Sequence, residues 1–312
     1  MNKSIRAVVF LCALCILTVA MSCKENTSKN QNELAFSQPK EELAQPKKQL
    51  SKEFKDYWYA GKAEITSYKL EQARYGEIRE GKAVMVFVTE DFLTEKQVKA
   101  DNYSPDNIPV LKLNTTKNFN TGIYPYSIMQ STFFPVSNNQ HLLKASASIQ
   151  EWCGHVYAQL NNRDDFEVMA HSYFQNEADQ NFNIAKTWTE NELWSKLRID
   201  PKSLPTGTFK IVPSLEFTRL KHKPIKAYTA NAKLKNGNYT LNYPELNRSL
   251  NIEFNSDFPY EIYSWQETSK PGSGSSDEIV TTKATRLESI KSAYWSKNSN
   301  ADEQLRGVLK LQ

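Results

Sequence analysis

The sequence predicts a mainly β protein, a curved antiparallel sheet or half-barrel carrying one or two short helices. Three observations lead there. The apolar run Ala83-Val84-Met85-Val86-Phe87-Val88 is too short for a helix and is bounded by Gly81 and Glu90-Asp91, as a strand buried on both faces would be. Between residues 209 and 266, short apolar segments follow one another with turn residues between them. The clearest helical signal is Thr189-Glu190-Asn191-Glu192, a capping box in which the Thr hydroxyl takes an orphan backbone N–H and Glu192 reaches back.

The chain opens with a segment of a different kind. Lys3 and Arg6 precede an apolar stretch from Ala7 to Ala20, about 14 residues where a membrane span needs roughly 20. Ala20 and Ser22 are small, as a signal peptidase requires at −3 and −1, and Cys23 follows. The set resembles a Gram-negative lipoprotein signal, with Met21 as its one departure from the usual small residue. On that reading residues 1–22 are removed and Cys23 is acylated; a plain secretory signal cut near residue 22 is the alternative. Lys24 stands where an inner-membrane lipoprotein carries Asp, which places the protein at the outer membrane. Lys24-Glu25 is similar to the charged tag that moves some lipoproteins to the cell surface, so the periplasmic and surface faces both stay open. Residues 23–50, rich in Lys, Glu, Gln, Asn and Ser with Pro39 and Pro46, read as a flexible tether with room for a few helical turns between Lys40 and Leu50.

Residues 51–312 are expected to form a single β-rich globular domain. Ala63–Arg74 and Ile78–Val88 flank Tyr75-Gly76-Glu77 as an early hairpin, and Tyr124–Val136 is a further strand. Phe209–Leu220, Ile225–Leu234, Tyr239–Tyr243, Ser249–Phe254 and Tyr260–Gln266 continue as a meander, with a tight turn at Asn236-Gly237. Leu193, Trp194 and Leu197 share one face of the capped helix, which Asp200-Pro201 ends, so it should pack on the sheet as a lid or plug. Ser269–Asp277 reads as a mobile loop and Ala301–Leu311 as a short closing helix.

Composition narrows the function classes. The formal charge of +4 falls by two once Lys3 and Arg6 are gone, and no basic stripe with interleaved aromatics follows, so nucleic acid is not an expected partner. Of four cysteines only Cys23 and Cys153 lie beyond the signal, and an acylated Cys23 leaves no intramolecular disulfide. The cluster Lys221-His222-Lys223-Lys226 reads as a strand end facing water.

One constellation has chemical content. On a continuous strand Ala147, Ile149, Cys153, His155 and Tyr157 share a face, with Glu151 next along it. A five-residue loop at Asn161–Asp165 would pair Leu160 with Phe166, setting His155 opposite His171 and Cys153 opposite Tyr173. Two imidazoles, a thiol and a carboxylate would suit zinc at about 2.0–2.3 Å. A one-residue slip would part the histidines, and no CxxC or HExxH spacing supports the group. Packing or a polar lining is therefore expected, with a metal or thiol site at Glu151, Cys153, His155 and His171 as the alternative; no catalytic residue and no cofactor is expected.

The Pro-x-Gly-Thr-Phe turn at Pro205–Phe209, the meander after it, Phe258-Pro259-Tyr260 and Trp265-Gln266-Glu267 are similar to LolA-like half-barrels over Tyr57–Glu267. That resemblance implies a curved sheet with a helical lid over an apolar cavity, in a group where several members carry lipids or lipoproteins, and transfers no binding residue. Tyr57-Trp58-Tyr59-x-Gly61-Lys62-Ala63-Glu64 with Gln72-Ala73-Arg74-Tyr75-Gly76-Glu77 resembles a group of uncharacterised outer-membrane lipoproteins, some labelled septum formation inhibitor Maf. The phosphate-gripping Ser-x-x-Arg-Arg loop of Maf nucleotide pyrophosphatases is not found in this sequence, nor is a P-loop. The expected function is a non-catalytic envelope module, anchored to the membrane by lipid, that binds an apolar or amphipathic ligand with some of its fifteen Tyr and fifteen Phe. An envelope protein–protein interaction or scaffold role is the first alternative and a metal or thiol enzyme the second.

Overall fold

The computed structural model describes residues 49–137, 141–270 and 279–312. The signal segment, Cys23, the proposed tether as far as residue 48 and most of the Ser269–Asp277 loop lie outside the described residues. Those described fall within one compact unit, Ala44–Gln312.

Helix α1 (Lys52–Trp58) begins where the Ser51 hydroxyl accepts the Phe54 N–H at 3.0 Å. Strands β1 (Ala63–Arg74) and β2 (Glu77–Leu93) form the long hairpin expected from the sequence, with β3 (Val98–Lys99) laid against the far end of β2. Then β4 (Ile108–Thr121), β5 (Tyr124–Pro135), β6 (Lys144–Glu151), β7 (Gly154–Asn162), β8 (Phe166–His171) and β9 (Gln180–Ile184) follow in antiparallel succession. Strand β10 (Trp188–Thr189) leads into α2 (Glu190–Ile199) and pairs in parallel with β11 (Gly207–Val212). After α3 (Leu215–Leu220), the strands β12 (Tyr228–Lys235), β13 (Asn238–Tyr243), β14 (Arg248–Phe254), β15 (Ile262–Ser269) and β16 (Val280–Ser292) return the sheet to β1. A short α4 (Gln304–Val308) follows; its neighbour Leu309 packs with Ala63, Ile65 and Val88.

All sixteen described strands belong to one curved sheet with β9 at one edge and β10 at the other. Only residues 185–187 join those edges. Four residue steps from Ile184 to Trp188 span at most about 14 Å, so the sheet is curled into a nearly closed barrel. The alternation of burial says which side is inside. On β4, Leu113, Thr115, Lys117 and Phe119 are buried, while Asn114, Thr116, Asn118 and Asn120 face outward. Asn231, Lys233, Asn242 and Glu253 face outward on the other half. A polar exterior over an apolar interior is the reverse of a transmembrane barrel. Among the described residues, no helix is long and apolar enough to cross a membrane.

Strand directions give the barrel two unlike ends. One end is closed by α1, whose Phe54 and Trp58 rings lie 6.4 Å from Phe258 and 6.1 Å from Phe87. The other carries the turns after Arg74, Thr121 and Glu151, the loop after His171, and α3. Helix α2 runs through the interior between them. It is the capped helix read from the sequence: Thr189 Oγ1 accepts the Glu192 N–H at 3.3 Å and Glu192 takes the Thr189 N–H at 3.4 Å. Leu193 and Leu197 are buried as anticipated, and Trp194 meets Trp265 at 5.5 Å. Its charged residues are buried too. Glu190 receives Arg248 through a two-pronged bond at 2.5 and 2.7 Å, and Arg198 grips Glu64 in the same way at 2.5 and 2.7 Å. The helix is thus a plug that carries buried ion pairs beside its buried leucines.

Three expectations are corrected. Phe209–Leu220 is not one strand: Pro213 follows β11, and Leu215–Leu220 turns into α3 inside the barrel mouth. The strand expected from Ile225 starts at Tyr228. The closing helix covers Gln304–Val308 after a 3-10 turn, less than the Ala301–Leu311 expected.

Candidate functional site

The residues singled out in the sequence do not converge. The chain reverses at Trp152-Cys153, so Ile149 pairs with Val156 and Glu151 with Gly154. Gly154 supplies the φ of +155° that this reversal uses. Odd residues consequently face in on β6 and out on β7, where a continuous strand would have kept them together. The next hairpin also differs: Asn161 and Asn162 stay in the ladder, leaving 163–165 as the turn, so His171 faces Tyr157 rather than His155. Cys153 is a free, exposed thiol whose own N–H donates to the Glu151 carboxylate at 2.7 Å. That carboxylate pushes the thiol pKa up, first by hydrogen bonding and then by its charge. His155 is exposed, and His171 lies on the outside 3.1 Å from Asp179. Among the described residues, no group of three or more His, Cys, Asp and Glu is placed to hold a metal.

What the fold does assemble is a pair of clefts at the open end. The larger, about 760 Å³, lies between the ends of β7 and β8 and the segment from α3 to β12. Val156, Ala158, Ala170, Leu215 and Ile225 give it an apolar floor, and Arg219, His222, Lys223 and Glu177 stand at its polar side. The second, about 590 Å³, shares Phe174, His222 and Lys223 with the first and adds Arg74, Lys221 and Lys270. Helix α3 forms the ridge between them. Arg74 fixes its end, donating to the Leu220 carbonyl at 2.7 Å and to the Tyr126 hydroxyl at 3.1 Å. On the inner side of α3, Glu216 binds Lys117 at 2.7 Å and Gln130 at 2.9 Å. A cavity of about 30 Å³, room for one water, lies among Lys117, Gln130, Asn191 and Glu216.

No family model matches this chain, and no curated protein does. Solved structures similar to it in part include two of barrel-like or porin-like description. One is a beta-barrel-like protein of the domain of unknown function DUF1849 from Brucella abortus, 8% identical, with 74% of this chain and 97% of that one covered at a TM-score of 0.42. The other is a porin-like protein from Bacteroides uniformis, 9% identical, with 73% and 96% covered at a TM-score of 0.21. The barrel is defined by the strand order above, not by these likenesses.

The electrostatics of the mouth separate satisfied groups from unsatisfied ones. Glu177 is engaged on both oxygens, by His222 Nδ1 at 2.6 Å and by the Ser172 hydroxyl at 2.5 Å. Arg219 lies with its Cζ 4.1 Å over the Phe174 ring. Burial pulls the Arg219 pKa below its usual range, with Glu177 acting in the opposite direction. The basic cluster at Lys221–Lys226 was visible in the sequence, but it belongs to the loop after α3 that walls the clefts, not to a strand end facing water. Arg219 itself had no sequence signal. A basic residue in an apolar run reads as a solvated strand position until the helix is known.

Proposed function

We propose that this chain is a non-catalytic binding module that takes an amphipathic ligand into the larger cleft at the open end of its barrel. The cleft carries the reading: about 760 Å³ of space with an apolar floor and a polar side falls in the size range of small-molecule sites, roughly 300–1,000 Å³. The module works at the outer membrane, tethered through an acylated Cys23, with membrane and ligand as its partners. Acylation is tested by feeding an alkyne-bearing fatty acid to cells making the full chain: label on the wild type and none on Cys23→Ser supports the anchor, and equal label on both rejects it. Ligand binding is tested by native mass spectrometry of the full chain purified from its own envelope. A co-purifying lipid-sized mass supports the module; a bare chain that also takes up no added amphiphile rejects it.

A second reading, docking of an envelope protein, has its own observation. Ile123, Trp152 and Tyr173 project from neighbouring turns at the same end, Trp152 with 68% of its surface exposed. A stable co-purifying protein lost in Trp152→Ser would favour that role.

A further inference from the structure

We infer that the ligand of the larger cleft carries an anionic head, a carboxylate or a phosphate, received by Arg219. This rests on the binding-module reading and names the chemistry that it leaves open. Arg219 is 7% exposed, and neither its Nε nor its Nη1 has a hydrogen-bond partner among the described residues. A guanidinium stays charged under all ordinary conditions, so burying one with vacant donors is costly unless something else fills them. Glu177, the acid whose charge acts most on Arg219, is already held by His222 and Ser172. The Phe174 ring lies 4.1 Å from the guanidinium carbon, and Arg74 pins the end of the helix that carries it. An edge of the guanidinium, Nε with Nη2 or Nη1 with Nη2, matches the two oxygens of a carboxylate or phosphate, and each edge holds one of the vacant donors.

The surroundings complete an amphiphile site. Lys223 stands on the same polar side as Arg219 and adds positive charge, while the Glu177 carboxylate there is already held by His222 and Ser172. Val156, Ala158 and Ala170 across the cleft, with Leu215 and Ile225 on the same side as Arg219, offer apolar surface but no charge. A head bound at Arg219 would therefore lay its chain along the ends of β7 and β8. Neutral amphiphiles would find the floor but leave the guanidinium vacant. Cationic ones would meet it as a like charge.

The test is titration calorimetry of the full chain with dodecanoate, dodecyl phosphate, dodecanol, dodecyltrimethylammonium and inorganic phosphate, each amphiphile below its micelle concentration. Charge-assisted bonds of this kind correspond to about tenfold or more in affinity, so both anionic amphiphiles should bind that much more tightly than dodecanol. The tighter of the two then says whether the natural head is a carboxylate or a phosphate. Arg219→Gln should bring both down to the affinity of dodecanol. Lys223→Gln, at an exposed position, tests the same preference should the first variant fail to fold, and should weaken the anions by a smaller factor. Equal binding of dodecanol and the anions by the wild type overturns the anionic head and leaves the module standing. Inorganic phosphate binding as tightly as dodecyl phosphate overturns the amphiphile. Binding of none of the five overturns both the head and the module.

Discussion

Replacing Glu64 by Gln should cost this protein about 3–5 kcal/mol, the usual price of leaving a buried charge without its partner. Glu64 and Arg198 are 3% and 1% exposed and joined by two bonds of 2.5 and 2.7 Å. Arg198 would keep its bond to the Pro259 carbonyl at 2.9 Å and its places over Trp58 and Phe87, but nothing would balance its charge. The loss is a large share of a margin of about 5–15 kcal/mol. The reciprocal variant Arg198→Met behaves differently with pH. In the wild type, burial raises the Glu64 pKa, but the charge and hydrogen bonds of Arg198 outweigh it and leave the carboxyl below its usual range. Its contribution is therefore present above the unfolded carboxylate pKa and lost only as pH falls through the lower, folded value. Without Arg198 burial dominates and the folded pKa rises above the unfolded one, so stability is gained as pH falls and the carboxyl is protonated. Arginine has no such escape. Urea unfolding followed by tryptophan fluorescence should thus show the Arg198→Met deficit shrinking from pH 7 to pH 5 while the Glu64→Gln deficit stays. A Glu64→Gln loss below about 1 kcal/mol, or an Arg198→Met deficit that grows on acidification, would refute the reasoning.

Three further outcomes are expected. Thr189→Ala removes one half of the α2 capping box and should lower stability by about 1 kcal/mol in the same urea assay, because an orphan N–H in the barrel interior loses its acceptor. Gly81→Ala should destabilise by about 1–3 kcal/mol, since a Cβ there would lie 2.3 Å from the Asn118 carbonyl oxygen on the paired strand β4; an unchanged urea midpoint would contradict the close approach. Cys153 should react with a maleimide in the folded protein, with Cys153→Ser as the control for other thiols. Glu151→Gln should quicken that labelling at pH 7, because removing the carboxylate lowers the thiol pKa and raises the fraction of thiolate.

The parts of the fold that were legible in the sequence are those fixed by near neighbours. The β1–β2 hairpin shows because Tyr75 and Gly76 both adopt positive φ, 55° and 77°, between two apolar stretches. Asn236-Gly237, at 48° and 72°, marks the β12–β13 turn for the same reason. Helix α2 shows through its capping box, a signal contained within four residues. The parts that were hidden depend on distant partners. In Leu215–Thr218 apolar and polar residues alternate as they would on a strand, and the burial of Glu216 is explained by Lys117 and Gln130, 99 and 86 positions away. The reversal at Trp152-Cys153 carries no Asn-Gly or Asp-Gly signature, so a strand pattern ran through it and carried the histidine register with it. Asn161 and Asn162 have turn-like composition, yet Asn162 is held in the ladder by its side-chain bond to the Leu142 carbonyl at 2.7 Å. The candidate site was hidden for the same reason as α3: its basic residues could be seen, but not the helix that turns Arg219 into the barrel mouth.

The central claim is that an amphiphile occupies the cleft between α3 and the ends of β7 and β8. Photo-crosslinking tests it most directly: a dodecanoate bearing a diazirine near its tail is bound to the full chain, irradiated, and mapped by peptide mass spectrometry. The account predicts adducts on Val156, Ala158, Ala170, Leu215 or Ile225, competed away by unlabelled dodecanoate. Adducts confined to residues exposed elsewhere, such as Tyr103 or Ile279, and insensitive to competitor would contradict it.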